Sequence, residues 1–324
     1  HRLQTMEELD MMLGSDIVSR FRIVQNDSRN PDSFVEVGRA SSGYDAFLNR
    51  EFMGCDLKVL TGFVEPHFFA GFSGGAKAVM PGMASLDTVM RNHGARNIDD
   101  PRSTWGVIDG NPLRAEIEGI ARMAGRLFIV NVTLNRDKRI TGVFSGSLEE
   151  AYPRACEFER KQAMVQVEEP FDIVITSNSG FPLDLNLYQS VKGMSAADQV
   201  RKEGGAIIMA AECWDGIPDH GSFGKLLTEE KTPDALLSLI RQDGFCRDDQ
   251  WQAQILARIL KRGPVFLKAS GLSNSQIRNA MLEPCNSIEQ KLDELLELYG
   301  AAASVCILPE GPQTIPYLSL SNSL

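Results

Sequence analysis

Short runs of β-branched and aliphatic residues alternate along the chain with stretches whose apolar positions recur every three to four residues. The runs predict strands at Arg22–Asn26, Leu57–Phe63, Leu127–Val132, Phe171–Ser177, Ala206–Ala211, Pro264–Ala269 and Ser304–Leu308. The helical spacing predicts helices over Met6–Leu13, Tyr44–Phe52, Leu113–Ala124, Leu148–Ala163, Asn186–Lys202, Pro233–Arg241, Asp249–Lys261, Ser275–Leu282 and Ile288–Tyr299. Strands alternating with helices imply βαβ units, hence an α/β fold with mostly parallel sheets. Thr5 followed by Glu8 has capping-box spacing, and Pro112 suits the first turn of a helix, where its missing N–H costs nothing. A long charged helix ends near Val165–Pro170, and Phe171–Ile175 opens a new series of units. The expected layout is therefore two α/β domains, residues 1–167 and 168–324, with an active-site cleft between them, a usual place for a small ligand.

Composition narrows the picture. The 324 residues are 43% hydrophobic and 23% charged, ordinary for a soluble globular protein. The net charge of −10 speaks against a nucleic-acid or anionic-membrane surface, both of which need clustered Lys and Arg. No apolar run reaches the roughly 20 residues that a membrane helix requires. Six scattered cysteines with no C-x-x-C pair fit a reducing compartment, and the expected location is the cytoplasm. The first residue is His1 rather than Met.

The most informative stretch is Thr61–Gly82, TGFVEPHFFAGFSGGAKAVMPG, with glycines at 62, 71, 74, 75 and 82. A strand precedes it and a helix is expected to begin near Gly74. Glycine permits tight turns and close backbone approach to a ligand, and a helix start followed by a lysine holds anions. Two familiar motifs fail: Ala78, not Ser or Thr, follows Lys77, and no G-x-G-x-x-G is present. A phosphate-binding turn and a plain connector both remain open on these grounds. The chain has four histidines, His1, His67, His93 and His220, and two of them bracket Lys77 at ten residues before and sixteen after. Imidazole is the usual acid–base group near neutral pH and a common nickel or zinc ligand.

HFFAGFSGGAKAVMPG followed by His93 resembles the signature of the nickel-dependent lactate racemase family. That resemblance implies a nickel-pincer nucleotide, a pyridinium-3-thioamide-5-thiocarboxylate mononucleotide carrying nickel, attached covalently at Lys77. On the same resemblance, Gly74 and Gly75 belong to the cofactor-binding motif and His93 is the nickel ligand. His67 and His1, the latter in His1-Arg2, fall on the two acid–base positions. Tyr188–Gly193 resembles the family's YQ-x-x-KG element, so Gln189 and Lys192 are expected at the substrate, and Trp251 resembles a site tryptophan. The family carries a further N-terminal segment of roughly a hundred residues, about the size of a small domain, which supplies an Asp and an Arg to the site. The expected partners are a small 2-hydroxy acid and the enzymes that mature the cofactor.

The chemistry accounts for these residue types. A 2-hydroxy acid is hard to racemise by removing its carbon-bound proton, because the neighbouring carboxylate makes that proton a poor acid. Hydride removal coupled to loss of the hydroxyl proton gives a planar 2-keto acid, and hydride return to the other face inverts the centre; a cofactor handles the hydride, and the protein positions and transfers protons. One histidine for each enantiomer explains a pair of bases, and an unperturbed imidazole pKa of about 6.5 suits both directions. Gln189 and Lys192, three apart on an expected helix, share a face. The alternatives are an enzyme of the same family acting on another 2-hydroxy acid or a sugar acid, a cofactor-binding protein without turnover, and an ordinary nucleotide-binding domain.

Overall fold

The computed structural model describes residues 3–219 and 221–318. The chain forms two compact units whose segments interleave. The first takes the chain through Val64, then Gly74–Asn92 and Arg114–Ala155; the second takes Glu65–Ser73, His93–Leu113 and the chain from Cys156 onward.

The first unit opens with α1 (Met6–Leu13) and α2 (Ser15–Arg20). Thr5 caps α1 with the expected box: its hydroxyl accepts from the Glu8 amide while its own amide donates to the Glu8 carboxylate. The Arg22–Asn26 run, expected as a strand, is irregular. A β-branched run becomes a strand only beside a neighbouring ladder, and here Asn26 instead turns its side-chain amide to the Gly82 and Ala84 carbonyls. β1 (Phe34–Arg39) and β2 (Asp45–Asn49) form an antiparallel hairpin. The Tyr44–Phe52 stretch, expected as one helix, divides into β2 and a single turn, α3 (Arg50–Met53). Ala46 and Leu48 enter the core at strand period, both fully buried, and Asn49 caps α3 by accepting from the Glu51 and Phe52 amides.

β3 (Lys58–Phe63) follows, then the two-residue strands β4 (Pro66–His67) and β5 (Gly71–Phe72) of the second unit. Gly75–Ala78 is a single 3-10 turn, and regular helix resumes only at α4 (Leu86–Asn92), later than expected from the glycine pair. α5 (Ala95–Asp99) belongs to the second unit; α6 (Pro112–Met123) starts on its proline as expected. β6 (Leu127–Leu134), β7 (Ile140–Ser147) and α7 (Leu148–Ala163) follow. In the first unit β6 pairs parallel with β3 and antiparallel with β7. One face of this sheet turns Ile129, Asn131 and Thr133 inward, while Val59, Phe128 and Val143 on the other are largely exposed.

In the second unit β8 (Met164–Val167) precedes β9 (Phe171–Ser177), α8 (Leu187–Asp198), β10 (Arg201–Ala210), α9 (Phe223–Glu229), α10 (Pro233–Ile240) and α11 (Gln250–Arg262). β11 (Val265–Lys268), α12 (Asn274–Asn279), β12 (Glu283–Pro284), α13 (Ile288–Tyr299), β13 (Val305–Leu308) and β14 (Ile315–Leu318) complete it. Five strands make a wholly parallel sheet in the order β12-β11-β10-β9-β13, and β14 pairs parallel with β8. Ala206, Ile207, Ile208 and Met209 are consecutive and fully buried, as a strand covered on both faces requires. Ile173, Ile208 and Leu295 share one core cluster with Leu292 and Leu296 of α13. Each large aliphatic side chain buried there contributes roughly 1.5–3 kcal/mol. The α/β class with parallel sheets is the expected one. Among the described residues no helix is long and apolar enough to cross a membrane.

Candidate active site

In the first unit, the glycine pair that follows β5 lies against the end of β3 and opens the turn that carries Lys77. Gly74 and Gly75 both hold positive φ, 71° and 54°. A Cβ on Gly75 would lie 2.4 Å from the Tyr152 ring, and one on Gly74 would lie 2.9 Å from Val64 Cγ2, so both positions exclude any side chain. The Gly75 amide donates to Asn131 Oδ1 at 2.8 Å, and Asn131 is buried in β6. Tyr152 in turn lies under the Arg114 guanidinium, 4.3 Å from its ring centre. Lys77 sits partly exposed on the turn. Further along, buried Glu116 accepts from the Tyr44 hydroxyl and from Asn92 Nδ2, each at 2.9 Å, anchoring the last residue of α4. Burial and that carboxylate push the Tyr44 hydroxyl well above its usual range.

In the second unit, His67 stands on the β4–β5 hairpin, paired with Gly71 across the three-residue loop Phe68–Ala70. The Ala70 amide donates to His67 Nδ1 at 3.3 Å. Gly71 is again obligatory: its φ is +76°, and a Cβ would lie 2.1 Å from the Val107 carbonyl oxygen. Buried Asn111 donates to the Phe69 and Val107 carbonyls at 2.9 and 3.1 Å, tying the hairpin loop to segment 103–111. Trp105 on that segment donates to Ser195 Oγ of α8 at 3.1 Å.

His93, only 5% exposed, follows α4 and precedes α5. Its ring packs edge-on against Phe69 and Trp251, each with centroids 5.1 Å apart. α5 is held by three side chains: Gln254 and Arg258 of α11 donate to the Ala95 and Ile98 carbonyls, and Arg241 forks onto the Asp99 carboxylate at 2.6 and 3.1 Å. The Trp251 indole donates to the Tyr188 hydroxyl at 3.1 Å, joining α11 to the start of α8. Asn186 caps α8 by accepting from the Gln189 amide at 3.1 Å. Gly193 lets α8 lie against the end of β9, since a Cβ there would meet the Ser177 carbonyl oxygen at 2.5 Å.

Charge on α8 is tuned by burial. Desolvation lowers the Lys192 pKa, and the nearby Glu65 carboxylate opposes it. Glu159 of α7 is pushed up to about 7 by burial, with Glu65 adding to the rise. Among the described residues its Oε2, buried, has no hydrogen-bond partner. Burial also raises the Tyr188 hydroxyl, with Asp249 adding to it.

The second unit thus gathers His67, His93, Trp251 and the α8 turn carrying Gln189 and Lys192 into one connected cluster. Lys77, Gly74 and Gly75 lie in the first unit. His1 lies outside the described residues, as does His220. Sequence reasoning missed Phe69, Trp105, Asn111 and Glu159. A phenylalanine or a tryptophan carries no local mark of what it packs against, and nothing local marks a buried Asn or Glu as a support.

The chain matches the Lactate racemase N-terminal domain family over residues 1–106 and the Lactate racemase C-terminal domain family over residues 166–315. It is 37% identical over 319 residues to the lactate racemase of Thermoanaerobacterium thermosaccharolyticum, covering 97% of this chain and 74% of that protein. It is 38% identical over 312 residues to the lactate racemase of Lactiplantibacillus plantarum, covering 96% and 73% respectively. The structure of the lactate racemase apoprotein from T. thermosaccharolyticum superposes with a TM-score of 0.93 at 36% identity, over 98% of this chain and 76% of that one. A Thermotoga maritima protein shares the fold, with a TM-score of 0.71 at 19% identity, over 98% of this chain and 84% of that one. With both domain families matched in order and more than a third of its residues identical to lactate racemases along nearly its full length, this chain belongs to the lactate racemase family and is an isomerase.

Proposed function

We propose that this chain racemises a small 2-hydroxy acid such as lactate with a nickel-pincer nucleotide carried on Lys77. The observation that supports this reading is the cluster in which His67, buried His93 and Trp251 are linked through Phe69 and Tyr188 to the helix turn carrying Gln189 and Lys192. It brings acid–base, metal-ligating and carboxylate-binding side chains together. Lys77 would hold the cofactor covalently and His93 would ligate its nickel. When bound, the cofactor supplies the hydride acceptor and donor at the substrate carbon.

The protein's own part is binding and proton movement. Lys192 holds the substrate carboxylate by charge, and Gln189, three residues before it on the same helix, orients an oxygen of the substrate by hydrogen bonding. His67 takes the hydroxyl proton of one enantiomer and returns it to the keto oxygen in reverse; His1 does so for the other. Both working forms of His67 at Nε2 carry a proton on Nδ1, which in the neutral resting ring accepts the Ala70 amide. His67 therefore enters the cycle when that contact opens or the ring turns over.

The test is intact mass on protein made together with cofactor-synthesis enzymes, with a digest covering Lys77, a nickel assay and chiral analysis of lactate. A mass increase on Lys77, about one nickel per chain and conversion of either enantiomer to the racemate are expected. A folded, supplied protein with unmodified Lys77 overturns the reading. A modified Lys77 without lactate turnover moves the substrate to another 2-hydroxy acid.

A further inference from the structure

One aromatic ring stands between His67 and His93, the two described histidines of the second unit. Phe69 is 4% exposed. Its ring meets His67 with centroids 4.5 Å apart at an interplanar angle of 79°, and meets His93 at 5.1 Å and 81°. Both contacts are edge-to-face, a directional arrangement worth about 0.5–1.5 kcal/mol beyond the area buried. The backbone of Phe69 is fixed independently: its carbonyl accepts from Asn111 Nδ2 at 2.9 Å, and Asn111 is fully buried with its Oδ1 accepting from Ser103 at 3.3 Å. Neighbouring Phe68 differs. Its ring touches His67 at 4.9 Å, Phe69 at 4.5 Å and Trp105 at 5.9 Å.

We propose that Phe69 is a positioning residue which sets the His67 and His93 rings relative to each other, with Asn111 holding Phe69 in place. The inference rests on the reading of His67 as a proton carrier and His93 as a metal ligand. A base and a metal ligand acting on one small substrate must keep a fixed separation, since the oxygen losing a proton and the carbon losing hydride are bonded neighbours. Each imidazole sits on a different backbone segment. A ring wedged edge-on to both, and pinned through its own carbonyl, transmits the placement of one to the other. Leucine in its place fills most of the volume but has no ring edge to orient either imidazole.

The test uses the full chain with isotope-labelled histidine and no cofactor, following the imidazole resonances of His67 and His93, assigned with H67Q and H93Q. Phe69→Leu is expected to displace both sets of resonances and Phe68→Leu to displace that of His67 far more than that of His93, with thermal unfolding cooperative in each. In cofactor-loaded protein, Phe69→Leu is expected to lower kcat by about 10- to 100-fold while KM changes little, the signature of misplacement rather than lost binding. Asn111→Ala is expected to reproduce the same pair of displacements. The inference is overturned if Phe69→Leu leaves the His93 resonances in place, if Phe68→Leu moves them equally, or if kcat of Phe69→Leu stays at the wild-type value. If loaded wild-type protein fails to racemise while both resonances respond to Phe69→Leu, the functional reading falls and the coupling of the two rings stands.

Discussion

Glu159 keeps its carboxyl buried on α7, and burial with Glu65 beside it raises the pKa to about 7. A carboxyl raised in the folded state binds its proton more tightly there than in the unfolded chain. Its contribution is fully present below the ordinary carboxylate range and is lost as pH climbs through about 7. Glu159→Gln mimics the protonated form. Thermal melts should show the variant close to wild type at acidic pH and more stable at pH above 8, by about 1–2 kcal/mol; equal melting points at both pH values would sink the argument. Lys192 gives a functional counterpart. Burial lowers its pKa and Glu65 holds it back up, so Glu65→Gln should lower it further. If Lys192 must be charged to bind the carboxylate, the alkaline limb of kcat/KM moves to lower pH in that variant; an unmoved limb removes Lys192 from that role. Among single residues, His67, Lys77 and His93 stood out through the resemblance of HFFAGFSGGAKAVMPG and His93 to a family signature, since composition and spacing alone left a plain connector open. Phe69 and Asn111 were not, because an aromatic in an apolar run and an Asn near a helix start announce nothing about what they touch.

The β4–β5 hairpin shows what an element of two-residue strands needs to survive. It has almost no ladder, so its shape depends on the Asn111 hydrogen bonds and on the backbone of Gly71 lying against Val107. Gly71→Ala adds a methyl where 2.1 Å is available, at a φ that L-residues avoid. Urea denaturation should show a loss of about 2–4 kcal/mol, accompanied by lower activity; a cost under about 0.5 kcal/mol would mean that the loop relaxes freely. Helices with long apolar periodicity, such as Leu148–Ala163 and Ile288–Tyr299, were legible end to end. The second strand of the first hairpin was not. Its apolar residues fit either period, and only the pairing with β1 and the Asn49 cap decide between them. β7 was missed because ITGVFSGS carries glycine and serine where a strand former is expected, and β6 makes it a strand.

Across the molecule, the parallel sheet of the second unit followed from strand–helix alternation, while the exchange of short segments between units did not. Local pattern reports what a residue is, not which of two cores receives it. The first unit's sheet also leaves an apolar outer face, with Ile140 and Val143 61% and 62% exposed. Such a patch binds hydrophobic dyes and favours self-association. Ile140→Thr with Val143→Thr should reduce dye fluorescence and light scattering while shifting stability by less than about 0.5 kcal/mol; unchanged dye binding would place the sticky surface elsewhere.

The interleaved path has a consequence for inheritance. The chain passes between units after Val64, Ser73, Asn92, Leu113 and Ala155. No single genetic crossover between this gene and a diverged relative therefore exchanges one unit whole and leaves the other intact. Chimeras joined after Ser73 or Asn92 pair the His67 hairpin from one parent with its supporting segment 103–111 from the other. Clean exchange of one unit as a module therefore needs five junctions, one at every crossing of the chain between units.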